Sequence, residues 1–169
     1  MRTFTTEHTV YTFDELSQEA QEKVLEHFRL NEDFLFLEDN LQCQLDELLA
    51  DNKITYDTQP RLNYSLSYCQ GDGAMFEGTV YWKQYTVEIK QSGHYSHYNS
   101  KQLDIWLTNS DYEDVPEEVY NEFNNVYVTI CKQLEKSGYA EIEDTLSDEN
   151  LIDNIKANEY EFTAEGILS

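Results

Sequence analysis

The sequence has few basic residues, prolines, glycines and cysteines. Eleven Lys and Arg stand against thirty-four Asp and Glu, so the net charge is −23. Such a surface repels nucleic acid and anionic membranes, and we expect neither as a direct partner. The three cysteines are widely spaced and odd in number, which favours neither a disulfide framework nor a zinc site with paired ligands.

Long apolar runs are also missing. No run approaches the roughly 18 residues needed to cross a bilayer, and the N-terminal segment has no long apolar core. Together with the unpaired cysteines, this predicts a soluble protein of the cytoplasm.

The residues that are present predict a folded chain. Hydrophobic residues make up 40% and aromatic residues 14% of the sequence, which argues against disorder despite the high charge. A chain of 169 residues has the length of one ordinary domain. We therefore expect a single domain over residues 1–169.

Hydrophobic periodicity near 3.6 marks the helical parts of the chain. Thr12 and Glu15 have the spacing of a capping box in front of a four-residue apolar repeat. Pro116 fits the first turn of another helix, and Gly138 fits the position just after its last turn. Helices are expected over residues 13–29, 34–53, 116–137 and 147–158, with Ser147 as the N-cap of the last one.

Between the second and third helices the period changes to two. Residues 61–69 and 74–82 alternate apolar and polar side chains, and Gln70-Gly71-Asp72-Gly73 joins them, which predicts a hairpin loop with glycines at positive φ. Residues 84–92 and 101–109 continue the meander. The expected fold is α+β, an antiparallel sheet of about four to five strands flanked by N-terminal and C-terminal helices.

No arrangement of residues indicates a reaction. His94 and His97 have an H-x-x-H spacing, but a straight strand would direct their rings to opposite faces, and no third ligand is identifiable. Cys69, Asp72 and His94 are the residue types of a nucleophilic site, but their presence alone is weak support for one. The hairpin glycines lead into a strand, which disfavours phosphate binding. We predict no catalytic residue, cofactor or metal, and no enzyme.

Negative charge is concentrated in the last third of the chain. From Asp111 to Glu165 there are sixteen acids and three lysines. The run over residues 141–153 is denser than helix-dipole complementarity requires. A protein that imitates nucleic acid must display rows of carboxylates to the Lys and Arg that normally hold the duplex. This run is the candidate, and a solvated helix face whose charge maintains solubility is the alternative.

Two motifs resemble small proteins encoded by bacteriophages and prophages. One is the helix Phe13-Asp14-Glu15-Leu16-Ser17 with Ala20 and Lys23, and the other is the strand-loop-strand segment Tyr64 to Gly78. They cover about a quarter of the chain. The resemblance implies a mobile-element origin and the cytoplasm of a bacterial host. For a small acidic protein without a catalytic signature it also implies an antagonist of host defence, of the anti-CRISPR or antirestriction kind.

Charge and resemblance together predict a non-enzymatic inhibitor of a host nucleic-acid effector, with a Cas9-type nuclease or its guide-RNA complex favoured. It would bind a basic surface of that effector, and loop and tyrosine contacts would anchor the interface. An antitoxin-like interaction module is the main alternative, and a small hydrolase is a weaker one. The oligomeric state is not predicted. The candidate partner-binding residues are Glu113, Asp114, Glu117, Glu118, Glu141, Glu143, Asp144, Asp148, Glu149, Asp153, Gln70, Asp72, Tyr95 and Tyr98.

Overall fold

The computed structural model describes residues 2, 9–109 and 115–169. In these residues it has four α-helices and a five-stranded antiparallel sheet, with helices towards both ends of the chain, which confirms the predicted α+β class. No helix in this part of the chain is long and apolar enough to span a membrane. The elements are α1 (Gln18–Asn31), α2 (Leu37–Asp51), β1 (Ile54–Thr55), β2 (Arg61–Ser65), β3 (Gly73–Trp82), β4 (Tyr85–Gln91), β5 (Lys101–Leu107), α3 (Glu117–Thr145) and α4 (Asp148–Ala157).

Contacts divide the chain into two compact units. The terminal unit comprises Met1–Phe34 and Ile142–Ser169, and the central unit comprises Leu35–Glu141. The single domain over residues 1–169 stays a prediction.

The terminal unit combines segments from both ends of the chain. Tyr11 and Phe162 form an antiparallel bridge, with N···O distances of 2.8 and 2.9 Å. Helices α1 and α4 each turn an apolar side towards a shared core, because their apolar residues recur at helical spacing. That core consists of Phe13, Leu16, Ala20, Val24, Leu25, Leu151, Ile155 and Phe162.

Helix α1 begins later than the sequence predicts. The capping box is present, since the backbone N and Oγ1 of Thr12 each donate to Glu15 Oε2 at 2.9 Å, but it closes only a 3₁₀ turn at Phe13–Glu15. Leu16 is extended, and Ser17 then caps α1 by accepting from the Ala20 N–H at 3.3 Å. Two N-cap signals follow each other here, and the second one starts the helix.

The central unit is a sheet built around the long strand β3. One edge of β3 pairs with β1 and β2, and the other edge pairs with β4, which pairs in turn with β5. Strand β2 ends at Ser65, opposite Gly73. The loop between them therefore covers residues 66–72 and is longer than the predicted turn.

Helix α3 supplies the large side chains that pack on this sheet. The rings of Tyr127 and Phe76 have centroids 4.7 Å apart, those of Phe123 and Trp82 are 5.3 Å apart, and the Tyr127 hydroxyl donates to Phe76 O at 3.0 Å. Strict alternation assigns Met75 to a polar face of β3, yet Met75 is fully buried. Both faces of this part of β3 are therefore covered, as in a central strand.

Gly138 does not end α3, which continues to Thr145 and corrects the predicted boundary. A Cβ on Gly138 would lie 2.3 Å from Leu66 Cδ1 and 3.4 Å from Leu41 Cδ1. Gly138 lies within the helix, and its lack of a side chain allows Leu66 and Leu41 to pack close to the helix backbone. It does not form a left-handed turn after the helix.

Candidate functional site

The acidic segment of the terminal unit lies on a turn between two helices. The carbonyl oxygen of Asp144 accepts from Ser147 N at 3.1 Å and from Asn150 Nδ2 at 2.7 Å. Ser147 Oγ accepts from Asn150 N at 3.3 Å and caps α4, as predicted. These bonds hold the end of α3 beside the start of α4. We name the exposed carboxylates of this turn the acidic surface: Glu143, Asp144, Asp148, Glu149 and Asp153.

The carboxylates of the acidic surface differ in whether they form ion pairs within the protein. Asp148 forms an ion pair with Arg29, whose Nε also donates to Leu146 O at 3.3 Å. Asp144, Glu149 and Asp153 make no ion pair with any residue in the described ranges. These three carboxylates are available to a ligand.

The remaining predicted acids lie elsewhere. Glu117 and Glu118 are exposed in the first turn of α3, where the helix dipole favours them. Glu141 is half-buried and accepts from Asn40 Nδ2 at 2.7 Å, so its carboxylate is hydrogen-bonded within the central unit. Glu113 and Asp114 lie outside the described residues.

The loop between β2 and β3 is organised around the carboxylate of Asp72. Oδ2 accepts from the backbone N–H groups of Ser67 at 2.7 Å and Cys69 at 2.9 Å, and from the Tyr139 hydroxyl at 2.6 Å. Oδ1 accepts from the hydroxyls of Ser65 at 2.9 Å and Ser67 at 3.2 Å. Asp72 therefore shapes the loop and ties it to α3, whereas Gln70 is exposed near the loop tip.

The pKa values of Asp72 and Tyr139 move in opposite directions. The Tyr139 hydroxyl, with the backbone N–H groups of the loop, holds the pKa of Asp72 well below its ordinary value. Burial and the hydrogen bond to Asp72 raise the pKa of Tyr139 to about 12. A general acid or base works best with a pKa near the operating pH. A carboxylate and a neutral phenol held in this way act as a structural pair.

A second loop, residues 92–100, lies over the glycines of the first. A Cβ on Gly71 would lie 2.4 Å from Tyr95 Cδ1, and one on Gly73 would lie 2.7 Å from His97 Cδ2. Gly71 also has φ = +96°, a backbone conformation that residues other than glycine rarely adopt. Tyr95 keeps 60% of its surface exposed above this contact.

The residues weighed as a nucleophilic or metal site are not assembled into one. Cys69 Sγ donates to Ser67 O at 3.5 Å, and His97 Nδ1 accepts from the backbone N–H two residues on at 3.0 Å. Across the described ranges, no hydrogen bond joins Asp72 or Cys69 to His94. In the same part of the chain, no three His, Cys, Asp or Glu residues are grouped as ligands for a metal ion.

The second loop and α3 together form an open groove of about 330 Å³. The rings of His97 and Tyr98 have centroids 3.9 Å apart at its wall, and Tyr139 packs on Tyr68 with centroids 4.6 Å apart. Tyr98, a predicted contact residue, is half-buried here. The groove is lined by His97, Tyr98, Lys132, Glu135, Lys136 and Tyr139.

Three lysines lie close to Tyr98 or share the groove with it. Lys101 Nζ donates to Tyr98 O at 3.1 Å, and burial lowers the pKa of Lys101. Lys132 Nζ lies 5.4 Å from the centroid of the Tyr98 ring, and Lys136 follows one turn along α3. None of the three makes an ion pair with a described residue.

No sequence pattern predicted this groove. Lys132 and Lys136 counted only towards the charge balance of the last third of the chain, and Tyr139 had no predicted role. The available signal was the spacing of the two lysines, since residues four apart lie on one face of a helix. Their approach to Tyr98 depends on tertiary structure and has no local signal.

Comparison with known proteins assigns no family to the chain. No family model matches it, and neither curated proteins nor solved structures include a significant match.

Proposed function

We propose that this protein is a non-enzymatic inhibitor that occupies a basic nucleic-acid-binding surface of a host defence effector. The acidic surface provides carboxylates where the natural ligand provides phosphates, and the effector provides Lys and Arg. The resemblance to phage proteins implies the defence setting. It favours a Cas9-type nuclease, or its guide-RNA complex, as the effector.

One observation carries the proposal: three exposed carboxylates without ion pairs in the described ranges, those of Asp144, Glu149 and Asp153, lie at the end of α3 and on α4, and backbone and side-chain hydrogen bonds fix the turn between these helices. Glu149 and Asp153 are four residues apart on α4, which corresponds to about 6 Å along the helix axis. Phosphates of one strand follow at about 3.4 Å along a duplex. The two carboxylates are thus separated along their helix on the scale of the phosphate spacing in a nucleic-acid strand.

The whole chain supports the same mode of binding. A net charge of −23 attracts a basic surface over long distances and accelerates encounter. The effect decreases with ionic strength, because the Debye length is about 10 Å at 0.1 M salt. We expect an association rate that decreases with added salt.

The geometry around Asp72 supports a function without catalysis. Its carboxylate accepts five hydrogen bonds, from Ser65 of β2, from the loop and from Tyr139. Neither Asp72 nor Cys69 is hydrogen-bonded to His94 within the described ranges, so these three residues do not form a nucleophile and base pair there. The loop is better suited to supporting a binding surface.

Competition with nucleic acid tests the proposal. The partner is first captured from a bacterial lysate, or supplied as a purified Cas9-type nuclease with guide RNA, and its binding to labelled target DNA is measured with increasing amounts of this protein. We expect DNA binding to decrease. The triple variant Asp144→Lys, Glu149→Lys, Asp153→Lys should inhibit at least tenfold more weakly, because three carboxylates that attract the Lys and Arg of the effector become cations that repel them.

A matched variant distinguishes the effect of charge at the acidic surface from the effect of the net charge. Glu26→Lys, Glu47→Lys, Asp51→Lys changes the net charge by the same amount at exposed acids without ion pairs in the described ranges. It should retain most of the inhibition. Equal losses in both triple variants, or no loss in the first, would contradict the assignment to the acidic surface. A partner that binds this protein and DNA together would favour the antitoxin-like alternative.

A further inference from the structure

Basic residues are few in this chain, and most of them are neutralised. Six of the eleven Lys and Arg form ion pairs with carboxylates in the described residues. Of the five others, Lys101, Lys132 and Lys136 lie at or beside the groove. Three of the five cations that form no ion pair in the described residues therefore lie near one groove, in a chain with thirty-four acids.

Neither lysine of the groove, Lys132 or Lys136, forms an ion pair with a carboxylate in the described residues. Lys132 and Lys136 are one helical turn apart, where like charges repel each other. Glu135 lines the same groove but makes no ion pair with either lysine. An anion from outside would relieve this repulsion and gain two charge-assisted hydrogen bonds.

The walls of the groove add a second property. His97, Tyr98 and Tyr139 are aromatic, and planar rings stack well on such surfaces. His97 Nδ1 accepts a hydrogen bond, so the neutral ring carries its proton on Nε2 as a further donor. The volume of about 330 Å³ is at the small end of the range for ligand sites, roughly 300 to 1,000 Å³.

The geometry points to a binding site for a small aromatic phosphate, of the size and chemistry of a nucleoside monophosphate. Lys132 and Lys136 bind the phosphate, and the aromatic side chains contact the base. The net charge of −23 disfavours a longer polyanion, because each additional phosphate would face the repulsion of the whole chain. A single phosphate in a short groove experiences the least of that repulsion.

This site is independent of the proposed inhibitor function. The groove residues belong to the central unit, and the acidic surface belongs to the terminal unit. The two assignments rest on different residues, so either can fail alone.

Calorimetric titration of the full chain with AMP, CMP, GMP and UMP tests the site. We expect saturable binding of at least one of them, with a Kd below about 1 mM at about 0.1 M salt. The double variant Lys132→Gln, Lys136→Gln should weaken binding by at least tenfold, and Lys132→Arg, Lys136→Arg should retain it because charge and donors remain.

Two comparisons identify the source of the binding. The matched variant Lys53→Gln removes an exposed lysine outside the groove that has no ion pair with a described residue, and it should bind within twofold of the native chain. Adenosine and inorganic phosphate should each bind at least tenfold more weakly than AMP. Thermal unfolding of every variant verifies that it is folded.

Several outcomes would overturn the site. These are no saturable binding of any of the four nucleotides up to about 5 mM, binding that survives the double glutamine variant, or adenosine that binds as tightly as AMP. Inorganic phosphate binding as tightly as AMP would overturn the aromatic part. NMR shifts on AMP addition that avoid His97, Tyr98 and Tyr139 would place the ligand elsewhere and overturn the assignment as well.

Discussion

The carboxylate of Asp72 and those of the acidic surface have the same chemistry and very different surroundings. Asp72 accepts five hydrogen bonds, from Ser65 at the end of β2, from its loop and from Tyr139. Asp144, Glu149 and Asp153 are exposed and without ion pairs in the described ranges. The first carboxylate is part of the fold, whereas the other three contribute to the field around it.

This difference shows what a charge count can predict. The value of −23 describes the long-range field and the class of partner that it attracts. It cannot tell which acids are engaged internally. Asp72 and the acids of the acidic surface were all predicted to contact a partner. In the structure, Asp72 is hydrogen-bonded within the fold, whereas three carboxylates of the acidic surface are exposed.

The largest effect is expected from Asp72→Asn. The amide keeps the shape of the carboxylate but turns one acceptor into a donor that faces other donors, so several loop hydrogen bonds are lost together. The thermal midpoint should decrease more than in any single neutralisation on the acidic surface. Calorimetric melting of the variants side by side checks this order, and an equal decrease for Asp153→Asn would remove the distinction.

The same variant should change how stability depends on pH. The pKa of Asp72 is lowered in the folded state, so its contribution is complete above the ordinary carboxyl pKa of about 4 and is lost as pH falls through the folded-state pKa. The difference in urea midpoint between the native chain and Asp72→Asn should be constant from about pH 5 to about pH 8. It should shrink below about pH 4, and a constant difference there would contradict the lowered pKa.

A smaller effect is expected from Tyr139→Phe. It removes one hydroxyl donor, 2.6 Å from Asp72, and leaves the ring packed on Tyr68. The loss should be about 1 kcal/mol of unfolding free energy. Urea unfolding measures it, with Tyr120→Phe as a control because Tyr120 is exposed on the same helix.

The pKa of Tyr139 gives a direct test of the pair. It is about 12 in the native chain, first because of burial and then because of the bond to Asp72. In Asp72→Asn it should decrease but stay above the ordinary value of about 10, since burial remains. NMR titration of the tyrosine ring carbons follows this change, and a native pKa near 10 would contradict the contact.

The smallest effect is expected from neutralising the acidic surface. Asp144→Asn, Glu149→Gln and Asp153→Asn remove exposed charges without internal partners in the described ranges, so each should change the unfolding free energy by less than about 0.5 kcal/mol. Reduced self-repulsion can make the combined variant slightly more stable. A large loss in urea unfolding would show that these carboxylates are structural after all.

Local sequence signals predicted much of the fold, and contacts between distant residues explain the rest. Periodicity identified every main helix and the strands of the meander, and Ser147 was recognised as the cap of α4. Gly138 was misread, because its partners Leu66 and Leu41 are far away in sequence. The burial of Met75 likewise depends on what covers the second face of β3.

The candidate site was less predictable than the fold. The positions of the acids are read directly from the sequence. The hydrogen bond from Tyr139 to Asp72 could not be predicted in this way, because it joins residues 67 positions apart. The groove depends on the approach of residues 92–100 to α3, and no local pattern describes it.

The bridge between Tyr11 and Phe162 has a consequence for synthesis of the chain. The meander of the central unit pairs neighbouring strands and can form soon after each hairpin leaves the ribosome. The core of the terminal unit needs Leu151, Ile155 and Phe162, which are translated after the whole central unit. Residues 9–34 must therefore wait until the central unit has been translated with their apolar side chains uncovered, and during this interval the nascent chain is exposed to chaperones and proteases.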